Sequence, residues 1–255
     1  MDRNYPSIYA DDLATKARAV LRERELRILP VTNEHKRLVG VISRNDIMNI
    51  TSSVSPIRVN GIMATHPYSI DPDMESVQAM REMVRRDGWY VPVVKSPQDL
   101  SYIGMLGLEN FILKSLERNV ARLSTPLSNI MSTKVLTCFP NDEIDNVWQS
   151  MKEHSFAACP VVAKGKAVGI VTQQNLLESG AVFPRFEAKK GRFKAPTKIS
   201  FVMKTPTVSL QPTNTLKEAA EIMLERNIGR VLVVDDKGNL IGIVDREDIV
   251  KTLIK

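Results

Sequence analysis

Four short segments of this chain repeat one spacing of polar side chains. In each, a glycine and two apolar residues precede a polar or small residue, and a carboxylate or amide follows three residues later. The segments are GVISRND, GMLGLEN, GIVTQQN and GIVDRED, which begin at residues 40, 104, 169 and 242. A spacing that recurs four times in one chain requires a common explanation.

The third segment shows which chemistry this spacing allows. A strand that ends near Thr172 and leads directly into a helix exposes free backbone N–H groups and the positive end of a dipole, which bind phosphate. The Thr172 hydroxyl adds a donor. Three residues on, Asn175 faces the same strand-to-helix mouth, as Asp46 and Asp248 do in their segments, and accepts hydrogen bonds from paired ribose hydroxyls. We call this strand-to-helix junction the mouth of the unit. It offers hydrogen-bonding groups to both a phosphate and a sugar.

Helix capping is the structural alternative for the same residues. Ser43 with Asp46, and Asp245 with Asp248, have the spacing of residues that cap a helix N-terminus. Four copies of one mouth favour a binding site over capping alone, because paired units would bring two mouths together.

Two arginines extend the candidate site. We place Arg27 and Arg230 at matching positions just before the strand that precedes each mouth, in LRILPVT and GRVLVVD. Either they are surface arginines with exposed charged ends, or they face a phosphate across the pair of units.

The mouths belong to a repeated supersecondary unit. The four glycines are 64, 65 and 73 residues apart, and an amphipathic helix begins 25 to 27 residues before each. Short extended pieces precede the last three helices, so each unit is predicted to be strand, helix, strand, strand, helix. In the first unit the leading strand is expected to be short or missing, because its helix starts within a dozen residues of Met1. The predicted fold class is α/β (α+β).

The unit boundaries follow from this repeat. We assign unit 1 to 1–56, unit 2 to 57–120, unit 3 to 125–182 and unit 4 to 199–255. The stretch 183–198 is a linker with six Lys or Arg and three Phe. Either it is a solvated connection or it binds nucleic acid through phosphate contacts and stacking.

Composition narrows the class of protein. The chain is 43% hydrophobic and 25% charged, and its formal charge of +6 favours an anionic partner such as a nucleotide, a nucleic acid or an acidic protein. The two cysteines have no metal-site spacing, and no apolar run approaches the length of a membrane span. We therefore expect a cytoplasmic protein that does not contact a membrane.

The combined order of these features resembles the cystathionine-beta-synthase (CBS) domain, in four copies that cover almost the whole chain. The resemblance implies that consecutive copies associate into two Bateman modules. It also implies that the modules pack as a disk, as in the gamma subunit of AMP-activated protein kinase and in archaeal stand-alone four-copy proteins. Each module would then offer up to two clefts for an adenosyl ligand.

The resemblance also implies ligand roles for individual residues. The residues that match family ligand positions are Arg27, Ser43, Asp46, Asn110, Thr133, Thr137, Thr172, Asn175, Arg230 and Asp248. Unit 2 departs from the pattern through Gly107 and Trp89, so its cleft is expected to be empty or altered. In unit 4 Asp245 replaces the hydroxyl and would repel phosphate unless Arg230 or Arg246 compensates.

The expected function is regulatory binding of AMP, ADP or ATP, in which the ligand changes the arrangement of the modules and a partner protein reads that change. The alternatives are nucleic-acid binding through 183–198, gated or not by nucleotide, and sensing of S-adenosylmethionine. No phosphate-transfer loop, nucleophile arrangement or metal cluster is recognisable, so we expect no enzyme, no catalytic cofactor and no metal site. A homodimer is compatible with this expectation.

Overall fold

The structure is a computed structural model that describes residues 1–48, 50, 55–154, 156–179 and 197–255. Most of the predicted linker 183–198 lies outside the described residues, and so does the nucleic-acid interpretation that depends on it. No helix in the described ranges is long and apolar enough to cross a membrane.

Units 1, 2 and 4 contain the five predicted elements, whereas the leading segment of unit 3 pairs only through isolated bridges. The leading strand of unit 1, expected to be short or missing, is present and short. Unit 1 contains β1 (Ile8–Tyr9), α1 (Ala14–Glu23), β2 (Ile28–Thr32), β3 (Leu38–Ser43) and α2 (Arg44–Met48). Unit 2 contains β4 (Ala64–Thr65), α3 (Ser76–Arg85), β5 (Tyr90–Val94), β6 (Tyr102–Gly107) and α4 (Leu108–Glu117). Unit 3 contains α5 (Ile144–Glu153), β7 (Ala158–Ala163), β8 (Lys166–Thr172) and α6 (Gln173–Ser179). Unit 4 contains β9 (Ser209–Leu210), α7 (Leu216–Glu225), β10 (Arg230–Val234), β11 (Leu240–Asp245) and α8 (Arg246–Leu253).

The leading segment of each unit joins two consecutive units. It first pairs with the neighbour's second hairpin strand and six residues later pairs with a strand of its own unit. In unit 3, for example, Ser132 bridges Ile243 of unit 4, and Cys138 then bridges Val161. In unit 2, β4 pairs antiparallel with β3 of unit 1. These exchanged segments tie units 1 and 2, and units 3 and 4, into the two predicted modules.

The repeated glycine leaves space for the leading segment of the neighbouring unit. A Cβ built on Gly242 would lie 2.7 Å from the sulfur of Met131, and one on Gly40 would lie 2.6 Å from that of Met63. Both methionines come from the leading segment of the neighbouring unit. The glycine is therefore needed for close approach between units.

The apolar core does not follow the division into modules. A module that folded alone would bury the apolar faces of its two units against each other. Instead the first buried cluster joins units 1 and 3, through residues such as Leu21 and Met151. The second cluster joins units 2 and 4, through residues such as Ile112 and Leu253. The helices bury their apolar faces between modules, whereas strand pairing holds each module together.

Candidate nucleotide site

All four mouths have the geometry of a helix cap. The backbone N–H of the residue that ends the strand donates to the side chain three residues later, at 2.8 Å for Ser43 and Asp46 and at 3.0 Å for Asp245 and Asp248. The corresponding distance is 3.0 Å for Thr172 and Asn175. The capping interpretation therefore describes real contacts.

These caps leave different atoms available in different units. In Asp248 only Oδ2 is engaged, and no described residue donates to Oδ1, so a carboxylate oxygen remains for a ligand. In Asn175 the amide oxygen is the atom that accepts from Thr172, so the remaining group is an NH₂ donor. A pair of ribose hydroxyls that must donate is therefore served better by Asp248 than by Asn175.

The strand register corrects our placement of the two arginines. In each unit, the first residue of the helix that follows the hairpin donates its backbone N–H to a carbonyl. That carbonyl belongs to the residue just before the first hairpin strand. Those four carbonyls belong to Arg27, Trp89, Ala157 and Gly229. Arg230 is the next residue and pairs with Asp245, as Ile28 pairs with Ser43. The two arginines thus lie one position apart in the repeat, and the prediction that they match was wrong.

The four equivalent positions converge where the modules meet. The guanidinium carbon of Arg27 lies 3.6 Å from the centroid of the Trp89 ring, and that of Arg230 lies 5.4 Å from it. A Cβ on Gly229 would approach both Trp89 and Arg27 closely, at 2.9 and 3.1 Å. Trp89 therefore makes cation–π contacts with two arginines where the modules meet.

A cavity of about 680 Å³, which we call cavity A, opens on one side of this centre. All four units line it, for example through Ser43, Trp89, Phe156 and Asp248. Its wall includes Lys134 to Leu136 from the leading segment of unit 3, opposite the mouth of unit 4. Its volume falls within the range of about 300 to 1,000 Å³ that is typical of small-molecule sites.

Charges of both signs face cavity A. The carboxylates are Asp87, Asp245, Glu247 and Asp248, and the cations are Arg27, Lys134, Arg230 and Lys251. Burial, and then the neighbouring Asp245 carboxylate, raise the pKa of Asp248 to about 7. Among the described residues, neither Arg27 nor Arg230 has a carboxylate within 4 Å of its guanidinium. Cavity A therefore contains two unpaired guanidinium groups and a carboxylate with a free oxygen.

A second cavity of about 340 Å³, which we call cavity B, adjoins the same centre. It opens at the mouth of unit 3, where Thr172 and Asn175 line it. Both cavities are lined by Arg27, Trp89, Tyr90, Ala157 and Arg230. The cations of cavity B are Arg27, Arg44, Lys204, Arg226, Arg230 and Arg246, and its carboxylates are Glu25 and Glu178.

The cleft at the mouth of unit 2 is filled by the chain's own side chains. Tyr5 comes three residues after Asp2, which bridges β6, just as Val135 follows Ser132 in unit 3. The Tyr5 hydroxyl donates to the carbonyl of Ile28 at 2.8 Å, and burial raises the pKa of this hydroxyl. The Glu109 carboxylate folds over Gly107 and lies 3.2 Å from the Arg246 guanidinium. A ring and a carboxylate thus occupy this cleft.

The predicted site residues fall into four groups. Ser43 and Asp248 line cavity A, and Thr172 and Asn175 line cavity B. Arg27 and Arg230 line both cavities. The remaining predicted residues, Asp46, Asn110, Thr133 and Thr137, line neither cavity; Thr133 and Thr137 are exposed. Asp46 and Asn110 cap their own strand ends, with the Asn110 oxygen 2.9 Å from the Gly107 nitrogen.

Several lining residues were missed by the sequence reasoning. Phe156 is 43% exposed although it is aromatic, and its ring stacks on that of His154 in the wall of cavity A. Arg44 lines cavity B from the first helical position of unit 1. Distance from the Pro-Val pair gives the register: Arg27 lies three residues before Pro30, whereas Arg230 lies two before Leu232. No comparable pattern within one unit identifies Phe156, because this residue of unit 3 lines a cavity at the mouth of unit 4.

Comparison with known proteins agrees with this architecture. The family model "CBS domain" matches residues 1–53, 59–117, 127–181 and 199–255. The chain belongs to the CBS domain family, which confirms the resemblance drawn from the four repeated mouths.

The relatives include a protein of similar length. Uncharacterized protein MJ1225 of Methanocaldococcus jannaschii is 24% identical, over 96% of this chain and 94% of its own. Its crystal structure, described as that of a proposed archaeal homolog of g-AMPK, matches 99% of this chain and 97% of its own, with a TM-score of 0.86 and 20% identity. An uncharacterized conserved protein from Pyrococcus horikoshii matches the same shares with a TM-score of 0.67 and 20% identity. These matches support the four-unit fold.

Proposed function

We propose that this chain is a regulatory protein that binds an adenine nucleotide in cavity A. The observation that carries the proposal is the Asp248 carboxylate, whose free oxygen lines the same cavity as the unpaired guanidinium groups of Arg27 and Arg230. The carboxylate accepts the hydrogen bonds of a ribose, and the guanidinium groups bind the phosphate.

The wall of cavity A also suits a purine base. Val135, Leu136 and Ala158 give it an apolar side, and Phe156 presents an exposed ring on which a base stacks. Arg230 offsets the negative charge that Asp245 brings to the mouth, because Asp245 and Asp248 both favour the charged form of Arg230. Arg246 does not fulfil this role, since its guanidinium reaches Glu109 and lines cavity B instead.

Regulation follows from the position of cavity A between the modules. A ligand there contacts units 1 and 2 as well as units 3 and 4, so it stabilises the arrangement in which all four lining surfaces are in place. A partner protein that recognises this arrangement would report the nucleotide concentration.

S-adenosylmethionine is the second candidate ligand. The balance of carboxylates and cations around cavity A suits a zwitterionic ligand that carries a sulfonium and an ammonium group. Its adenosine part would make the same contact with Asp248.

A thermal-shift panel of AMP, ADP, ATP, S-adenosylmethionine and GTP tests these candidates. A ligand present at 100 times its dissociation constant adds about 2.7 kcal/mol to the unfolding free energy. We expect an adenine nucleotide to raise the melting temperature and GTP to do so much less. A panel with no adenosyl ligand above the GTP response would contradict the proposal.

A further inference from the structure

Cavity B differs from cavity A in the charge of its lining. Six cationic side chains face two carboxylates there, whereas cavity A has equal numbers of each sign. We propose that cavity B is a separate site for a compact polyanion of the polyphosphate class, bound by its charge and not by a nucleoside. This proposal does not depend on nucleotide binding in cavity A.

Of the six cations of cavity B, only Arg246 has a short ion pair among the described residues, with Glu109 at 3.2 Å. Arg44 donates to the backbone carbonyls of Leu26 and Glu25, which carry no net charge. Lys204 lies 3.9 Å from Glu178, a long distance for an ion pair. Within the described residues no carboxylate lies within 4 Å of Arg27 or Arg230, and Arg27 stacks on Trp89 instead.

Arg246 supplies an independent observation. Its side chain is only 6% exposed, and no described group accepts a hydrogen bond from its Nε. The donors of the same guanidinium that do have partners contact the Glu109 carboxylate at 3.2 Å and the Met223 carbonyl at 3.5 Å. A buried guanidinium with an unsatisfied donor, in the wall of a cationic cavity, favours an anion nearby.

The protonation equilibria agree with this geometry. Burial, and then the nearby Arg230, lower the pKa of Arg27 to about 9, and burial lowers the pKa of Arg44 to about 10. Both groups remain cationic at neutral pH, so cavity B holds positive charge that is held out of water. An anion in the cavity would stabilise these cations and raise both pKa values again.

The mouth of unit 3 explains why the ligand needs no ribose. The Asn175 oxygen already accepts hydrogen bonds from the N–H and the hydroxyl of Thr172, at 3.0 and 2.9 Å. What remains is an NH₂ group, which donates to a phosphate oxygen but cannot accept from a sugar hydroxyl. Cavity B also has half the volume of cavity A. Its donors and its size therefore suit a chain of two or three phosphates.

Inorganic tripolyphosphate is the probe for this site, in titration calorimetry on the full chain. Arg226→Ala with Lys204→Ala removes two cations that line cavity B only, and one of them has a carboxylate, that of Glu178, 3.9 Å away. Lys134→Ala with Lys251→Ala is the matched control, since it removes two cations that line cavity A only, one of them paired with Glu247.

We expect the wild-type chain to bind tripolyphosphate and the cavity B variant to bind it at least about tenfold more weakly, with little change in the control. Adenosine, which tests cavity A alone, should bind equally well to the cavity B variant. No binding of tripolyphosphate by the wild type up to about 1 mM, or an equal loss in both double variants, would overturn the proposal. Binding of ATP to the Asp248→Asn variant without any binding of tripolyphosphate would also contradict it, because the site would then require the nucleoside.

Discussion

The clefts of unit 4 and unit 2 are built from the same elements and have opposite contents. In the cleft of unit 4, the leading segment of unit 3 contributes Val135, the first hairpin strand of unit 3 contributes Ala158, and a large cavity remains. In the cleft of unit 2 the corresponding residues come from unit 1 and are Tyr5 and Ile28. The Tyr5 side chain occupies the space, and its hydroxyl donates to the Ile28 carbonyl. The same elements therefore leave an open cavity in one cleft and a cleft occupied by a protein side chain in the other, depending on the residues at two equivalent positions.

The two clefts also differ in the charged side chains that surround them. In unit 2 Glu109 supplies a carboxylate that folds over Gly107 and pairs with Arg246. In unit 4 Arg230 faces an open cavity, with no described carboxylate within 4 Å. One cleft thus contains a carboxylate paired with a guanidinium, and the other contains a guanidinium without such a partner among the described residues.

Placing a tyrosine in the cleft of unit 4 should remove the difference between the two clefts. Of the effects that we predict on ligand affinity, this one should be the largest. Val135→Tyr copies the Tyr5 position into the leading segment of unit 3, where the Ala158 carbonyl is the matching acceptor. We expect AMP affinity to fall by at least about 100-fold, because a ring occupies the site of the ligand. Titration calorimetry measures this loss. A melting temperature close to that of wild type would show that the variant folds, as the Tyr5 segment itself does.

Removing the guanidinium of Arg230 should separate the two parts of the ligand. We expect Arg230→Ala to weaken AMP by about 10- to 100-fold, which corresponds to the loss of one charge-assisted interaction. Adenosine has no phosphate, so its affinity should change much less. Equal losses for AMP and adenosine would show that Arg230 shapes the cavity and does not bind phosphate.

The raised pKa of Asp248 predicts a pH dependence of binding. Adenosine is the appropriate ligand, because the phosphate of AMP itself titrates near pH 6. With a pKa of about 7, the carboxylate is mostly ionised at pH 8 and mostly protonated at pH 6, so affinity should fall by up to about tenfold between them. In Asp248→Asn this pH dependence should disappear. A flat profile in the wild type would exclude an ionised Asp248 as the ribose acceptor.

The raised pKa of Asp248 also makes the unfolding free energy depend on pH. This dependence has the opposite sign to that of ligand affinity. The folded chain holds the Asp248 proton up to about pH 7, whereas the unfolded chain loses it near the ordinary pKa of 3.8. The contribution of Asp248 to the unfolding free energy therefore falls as the pH rises from about 4 to 7 and is constant above that range. Denaturant curves for wild type and Asp248→Asn, compared across this range, isolate the contribution.

The smallest effect is expected at the mouth of unit 1. The Asp46 carboxylate accepts from the N–H and the hydroxyl of Ser43, at 2.8 and 2.6 Å, and lines neither cavity. Asp46→Ala should therefore cost about 1 kcal/mol of unfolding free energy, as the loss of a helix cap does, and leave AMP affinity unchanged. A substantial loss of affinity would place a second ribose at unit 1.

The repeat made much of the fold predictable, because each unit has the same helix, hairpin and mouth. Thr215 and Glu218, for example, have the sequence spacing of a capping box, and they form one at the start of α7. Contacts between units were harder to predict. The spacing around Arg230 differs by one residue from that around Arg27, and Tyr5 and Phe156 reach their clefts from a neighbouring unit. Their roles depend on how the units pack, which the pattern within one unit does not specify.

The most direct test of the central claim is titration of AMP into Asp248→Asn. Asparagine keeps the capping hydrogen bond, as Asn110 and Asn175 do at the same position in units 2 and 3, but it offers no second carboxylate oxygen. We predict that the variant melts at or above the wild-type temperature at pH 8 and binds AMP at least about tenfold more weakly. Unchanged AMP affinity in this variant would contradict the account and leave Asp248 as a helix cap alone.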